Sequence, residues 1–174
     1  MRPLRVRHRG GPLTARRGLH PAQVAAVAAA AAALDQLTKW EIQRAFRLGE
    51  KLTLIPGFFY LVYVRNPGVA FGLLADWAWR WRMPFFAATA VAAALLLWRM
   101  FRDAGHLGAA RAALGLILGG AAGNLVDRFR YGEVVDFLDC WIGPYHWPTF
   151  NVADSCITVG TGLLLWALRK PAGG

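Results

Sequence analysis

The stretch AALGLILGGAAGNLVDR, residues 112–128, decides the fold. Its apolar run Ala112–Val126 stops at Asp127 and Arg128. Gly115, Gly119, Gly120 and Gly123 would let a second helix approach closely. Asn124 and Asp127 are three apart and share one helical face. As simple helix-end residues they would meet water, with Arg128 snorkelling; on a tightly packed helix a polar pair points inward.

Three more blocks repeat this character: Ala22–Leu34, Met83–Trp98 and Val152–Leu168. The four run from 13 to 17 residues, short of the roughly 20 that span a hydrocarbon core. Flanking Trp, Tyr and polar helix ends supply the missing turn. With 56% hydrophobic residues and a mean hydropathy of +0.34, the chain is too apolar for an ordinary soluble domain. Four buried helices of a soluble protein would need polar faces at helical period, and Ala22–Leu34 offers only Gln23. The pattern predicts an all-α membrane protein with helices at about 21–40, 83–101, 111–127 and 151–169. The first block also resembles a cleaved signal peptide, with a basic region before an Ala-rich core. Asp35, Thr38 and Lys39 follow that core directly and belong with the polar residues below, which favours an uncleaved helix.

The formal charge of +10 invites a nucleic-acid reading, but the excess is spread along the chain. No nucleic-acid partner is expected. Six arginines lie within Arg2–Arg17; Arg99, Arg102 and Arg111 bracket the second connection; Arg169 and Lys170 follow the last block. The positive-inside rule then puts both termini and the middle loop in the cytosol. One segment runs against it: Lys39–Arg82 would be external, yet carries seven Lys or Arg. Cys140 and Cys156 lack metal-ligand spacing and the four histidines are scattered, so no metal or other cofactor is expected.

Residues 1–20 read as a disordered basic tail, and 21–170 as one membrane-embedded unit. Between helices 1 and 2, Pro56-Gly57 separates Leu-Thr-Leu-Ile from the aromatic and β-branched run Phe58–Val64, a hairpin or small sheet at about 51–74. It is too short to span as a helix and should lie on the outer surface. Ala75–Arg82, with three tryptophans and two arginines, suits the headgroup level. Residues 128–150 read as a second external loop.

The sharpest acids are Asp136 and Asp154, which flank that loop's end and should share a depth. Asn151 can cap helix 4 with Asp154 at its third position, a complete structural explanation by itself. A neighbouring Asp136 changes its weight, because two close carboxylates cannot both ionise easily and share a proton. One then activates water while the other acts as acid. Asp35 and Lys39 are spaced i,i+4 and read as a surface ion pair, a support for the hairpin, or a contact to substrate backbone; support is favoured.

These residues fall into five ordered motifs: DQLTK (35–39), NPGVAFG (66–72), GNLVDR (123–128), VVDF (134–137) and FNVADS (150–155). Together with the four-helix layout they resemble the bacterial lipoprotein signal peptidases (signal peptidase II). The resemblance implies four transmembrane helices, a small extracytoplasmic β-cradle and a short amphipathic helix. It implies catalytic aspartates at Asp136 and Asp154. Asn124, Asp127, Arg128, Asn151, Asn66 and Asp35 would surround or support them. It implies an inner-membrane aspartic endopeptidase active near the extracytoplasmic surface. Such an enzyme cuts lipid-modified prolipoproteins just before a diacylglyceryl cysteine and binds globomycin. Membrane lipid would be the other partner. Pro67 and Val69 depart from the smaller or more flexible residues expected after Asn66, and the arginine-rich N-terminus is longer than the family core requires.

Two other classes compete. A small proton-coupled transporter needs an acid in the middle of an apolar block, and here the acids sit at block ends. A non-catalytic scaffold with a lipid- or nucleic-acid-binding tail leaves Asp136 and Asp154 unexplained.

Overall fold

The computed structural model describes residues 21–68, 78–103 and 108–169. Four helices and four strands follow in the order α1 (Pro21–Ala45), β1 (Lys51–Ile55), β2 (Phe59–Asn66), α2 (Trp79–Asp103), α3 (Gly108–Tyr131), β3 (Val134–Ile142), β4 (Tyr145–Phe150) and α4 (Val152–Arg169). The chain is mostly helical, with one small antiparallel sheet in the order β1-β2-β3-β4.

Small residues set the helix packing. Along α3, a Cβ at Gly115 would sit 2.8 Å from the Val27 side chain, one at Gly119 would strike the Ala28 carbonyl, and one at Gly123 would strike the Asp35 carboxylate. These three glycines, four apart, face α1. Gly120 faces α4 instead, against the Ala153 carbonyl. Close backbone approach of this kind replaces the bulky knobs of a soluble bundle. The helix α2 packs chiefly on α3. At one end of the bundle Val24, Ala110, Ala113, Leu114, Leu164 and Ala167 close a core. At the other, Ile42 meets Tyr63, Val135 and Phe137 beneath the sheet.

The outward surface is also apolar. Leu34, Leu37, Leu95, Leu96, Val159, Leu165 and Trp166 are all exposed. Among the described residues one helix, Ala109–Tyr131, is long and apolar enough to cross a membrane by length and composition, whereas Pro84–Ala93 and Val152–Ala167 are shorter apolar helices. The length of α1 is sufficient at 25 residues, but its second half carries Asp35, Lys39, Glu41 and Arg44.

The sheet exceeds the expected hairpin. Its β1–β2 half turns at Gly57 (φ 75°). The other half comes from residues expected as loop: Ile142 pairs with Tyr145 across the two-residue turn Gly143-Pro144, with Gly143 at φ 60°. Pro148 is tolerated because β4 is an edge strand. Of the expected headgroup segment Ala75–Arg82, residues 75–77 lie outside the described residues and Trp79–Arg82 form the first turn of α2. The tail 1–20 and the cradle residues 69–74 also lie outside them.

Candidate active site

Asn151 is where the two halves of the site join. It caps α4: its Oδ1 accepts the Asp154 N–H at 2.9 Å, and its own N–H donates to Asp154 Oδ2 at 3.3 Å. This reciprocal pairing is a capping box with Asp in place of the usual Glu. The same side chain's Nδ2 donates to Asp136 Oδ1 at 2.7 Å, with Asn124 Oδ1 and the Val135 carbonyl at 3.1 and 3.3 Å. One amide therefore bridges Asp136 on β3 and Asp154 on α4.

Each carboxylate holds a second amide. Asn66 donates to Asp136 Oδ2 at 2.9 Å from the end of β2, and Asn124 donates to Asp154 Oδ1 at 2.8 Å from α3. Asn66 is itself fixed by the Gly68 N–H on its Oδ1 (3.0 Å). Among the described residues, no cation forms an ion pair with either aspartate. Burial therefore pushes the Asp136 carboxyl up to about 7; the Asn66 bond opposes this, the Asp154 charge adds to it, and the Asn151 bond and Lys39 charge oppose it.

Beneath this pair lies a buried ionic layer. Lys39 Nζ reaches Asp35 Oδ2 and Asp127 Oδ2, each at 2.8 Å, and Asn124 Oδ1 at 2.9 Å. Three ammonium protons meet three acceptors. Asp35, Lys39 and Asp127 are at most 1% exposed, so the surface ion-pair reading of Asp35 and Lys39 does not hold. The layer locks four elements together, α1, α3, α4 and β3. Asp35 Oδ1 accepts the Ala153 N–H at the start of α4 (2.9 Å), and Asp127 Oδ2 accepts the Val135 N–H of β3 (3.1 Å). Lys39 also orients the Asn124 amide: with Oδ1 on the ammonium, Nδ2 faces Asp154.

Arg128 stands to one side, its guanidinium 3.9 Å above the Phe86 ring, donating to the Gly68 carbonyl at 3.2 Å and the Asn124 carbonyl at 3.4 Å. It ties the Asn66–Gly68 turn to α3. The nine residues picked from the sequence thus form one connected cluster.

Gln36 belongs to that cluster and is not legible as a site residue. Its Nε2 donates to Asp127 Oδ1 at 2.8 Å and to the Gly123 carbonyl at 3.1 Å. Its one signal is position, three residues before Lys39 on the same helical face. Asp139, three residues beyond Asp136, lies outside the pair: Lys51 Nζ (2.7 Å) and His146 Nε2 (2.6 Å) engage its carboxylate. Both cysteines are free.

The Signal peptidase (SPase) II family model matches residues 27–170. A lipoprotein signal peptidase of Syntrophotalea carbinolica is 54% identical over 144 residues, covering 81% of this chain and 87% of the relative. One from Geobacter sulfurreducens is 50% identical over 134 residues, covering 75% and 81%. Two solved structures, described as bacterial membrane enzymes studied by the in meso method, superpose with TM-scores of 0.78 and 0.77. They share 31% and 33% identity and cover 91% and 90% of this chain, and 98% and 99% of their own. By sequence over most of its length and by fold, the chain belongs to the signal peptidase II family.

Proposed function

We propose that the chain is an aspartic endopeptidase of the bacterial cytoplasmic membrane. It removes the signal peptide from prolipoproteins by hydrolysing the bond just before the diacylglyceryl-modified cysteine. One observation carries this reading: Asn151 joins two carboxylates, its side-chain amide donating to Asp136 and its backbone N–H to Asp154, and among the described residues neither carboxylate has an ion-paired cation. Such a pair holds one proton between two acids at neutral pH.

The pair divides the work. Asp136, buried and raised to about 7, carries the proton; Asp154 is the base. Asp154 takes a proton from a water as the water oxygen attacks the scissile carbonyl carbon, and Asp136 gives its proton to the carbonyl oxygen. The neutral tetrahedral diol then collapses: a hydroxyl proton returns to Asp136, and Asp154 protonates the leaving amine nitrogen. The carboxyls end as they began, and no covalent enzyme intermediate forms. Asn124 and Asn151 hold the Asp154 oxygens, and Asn66 and Asn151 hold those of Asp136.

The bundle lies in the membrane, with four spanning helices and the sheet at the extracytoplasmic surface. Both termini are cytosolic. Acyl chains enter laterally between helices, and the peptide lies under the β1–β2 hairpin near Asn66 and Arg128. Membrane lipid surrounds this path, and a globomycin-type inhibitor would occupy it. The transporter alternative finds no support, since the chain belongs to a peptidase family.

The test is incubation of purified protein with a lipidated prolipoprotein, with and without globomycin. Globomycin-sensitive release of the signal peptide is expected. No cleavage, or cleavage undiminished in Asp136→Asn and Asp154→Asn, overturns the reading.

A further inference from the structure

The external segment Lys39–Arg82 carries more positive charge than the orientation rule favours, and catalysis absorbs only part of it. Lys39 is locked between Asp35 and Asp127, and Lys51 is paired with Asp139. Arg65 has no acidic partner among the described residues. Its Nε donates to the Tyr63 hydroxyl at 2.8 Å and its Nη2 to Gln43 Oε1 at 3.2 Å, both neutral. Its guanidinium lies 4.2 Å from the centre of the Tyr131 ring. Arg130, exposed in the last turn of α3, approaches the same ring at 5.2 Å. Glu133, three residues beyond Arg130, forms no ion pair with either arginine among the described residues.

Two guanidiniums thus converge on one partly exposed tyrosine, with no counter-charge among the described residues. Neutral hydrogen bonds and an aromatic face hold Arg65 in place, so its charge is fixed and no described acid pairs with it. Such an arrangement suits a phosphate, which takes several N–H donors at once. It lies at the same helix ends as the dyad, the level at which arginine and tyrosine meet lipid headgroups.

We propose that Arg65 and Arg130, about Tyr131, form a site for the phosphate of an anionic phospholipid headgroup. The lipid would be a structural partner distinct from the substrate, whose glyceryl group bears no phosphate. It would sit beside the end of β2, where the next residue, Asn66, donates to Asp136. The proposal rests on the membrane-embedded reading above.

The test uses the full chain in nanodiscs of phosphatidylcholine containing a minor share of phosphatidylglycerol, with retained lipid scored by native mass spectrometry. Wild type should keep phosphatidylglycerol in preference to phosphatidylcholine. Each arginine should contribute about 5-fold to that preference, so the R65Q/R130Q double variant should lose nearly all of it. Arg44→Gln, an exposed arginine against Trp40 and Glu41, should leave it unchanged. Inorganic phosphate at matched ionic strength should not displace the lipid. Equal retention of both lipids by wild type, an unchanged preference in a folded double variant, or displacement by inorganic phosphate each overturns the proposal. Lipid retention is read without turnover, so absent cleavage would count against the proposed function and leave this measurement intact.

Discussion

Asp136 and Asp139 lie three residues apart on β3, both buried, and their surroundings drive them in opposite directions. Asp136 meets two side-chain amides and a second acid, and burial holds its proton to about 7. Asp139 is also penalised by burial, but Lys51, His146 and the Trp141 N–H outweigh the penalty and hold its carboxyl below the ordinary range. A fixed anion cannot give up a proton at neutral pH. Both side chains are shielded from solvent, but Asp136 lies deeper in the protein: heavier desolvation and neutral partners make it an acid, whereas a lighter penalty and the Lys51 charge make Asp139 a structural ion.

The widest gap between the two should come from neutralising each. On the proposed mechanism Asp136→Asn removes the proton donor and Asp154→Asn the base, so either should lower the cleavage rate at least ~10²-fold while the protein stays folded. Asp139→Asn should leave turnover within a few-fold. Cleavage of a lipidated prolipoprotein, with circular dichroism on each variant, measures both. A loss in Asp139→Asn matching that in Asp136→Asn would erase the distinction.

Next in size is pH. In the proposed mechanism Asp136 acts as an acid only while protonated, so the rate should fall as pH rises through about 7, approaching ten-fold per unit above that point. Asn66 favours the ionised form, so Asn66→Ala should push the falling limb to higher pH. A limb that stays in place would separate Asn66 from the proton on Asp136. Wild type and variant need only be compared over pH 6 to 9 in one detergent, roughly spanning the expected limb.

Much of this contrast is legible in the sequence, and the remainder is not for identifiable reasons. The Asn151–Asp154 cap is local, four consecutive residues with known chemistry. Asn124 and Asp127 declare a shared face through their spacing. The role of Asp35 is hidden because Lys39, four residues on, already supplies a local partner, whereas Asp35 also caps α4 at Ala153, 118 residues away. Gly123 is readable as a close approach, but not that the approaching group is a carboxylate. The strands β3 and β4 are masked by Pro144 and Pro148, which suggest loop until one knows that they occupy a turn and an edge. Asp139 carries no sequence signal of its neutral-pH fate, since Lys51 and His146 reach it from other strands.

A smaller test concerns the buried layer that supports Asp136 and has no counterpart at Asp139. Gln36 donates to Asp127 and to the Gly123 carbonyl. Gln36→Leu would leave those acceptors short of one donor at a part-buried position, at a cost of about 1 kcal/mol. A modest fall in thermal midpoint, with the pH limb unmoved, is expected from light scattering and a rate profile at several pH values. A displaced limb would instead tie Gln36 to the dyad.

The smallest effect is expected from Asp139 itself, and its sign is the sharpest check on the comparison. Its folded carboxyl titrates below its ordinary value of 3.8, so the unfolded chain takes up this proton first on acidification. The stabilisation from Lys51 and His146 is therefore complete above about pH 4 and lost as pH falls below it. Lys51 and His146 are each about two-fifths exposed, and screening limits the contribution to about 1 kcal/mol or less. Asp139→Asn should lower the thermal midpoint slightly at pH 7 and make it less sensitive to acid below pH 4 than that of wild type. Asp136→Asn should do the opposite over a different range. Burying the ionised Asp136 costs stability between its unfolded value near 4 and its folded value of about 7, so its replacement removes a decline that wild type shows as pH rises through that interval. Parallel shifts in the two variants would mean that the strand has one electrostatic environment and that the contrast between its aspartates is not real.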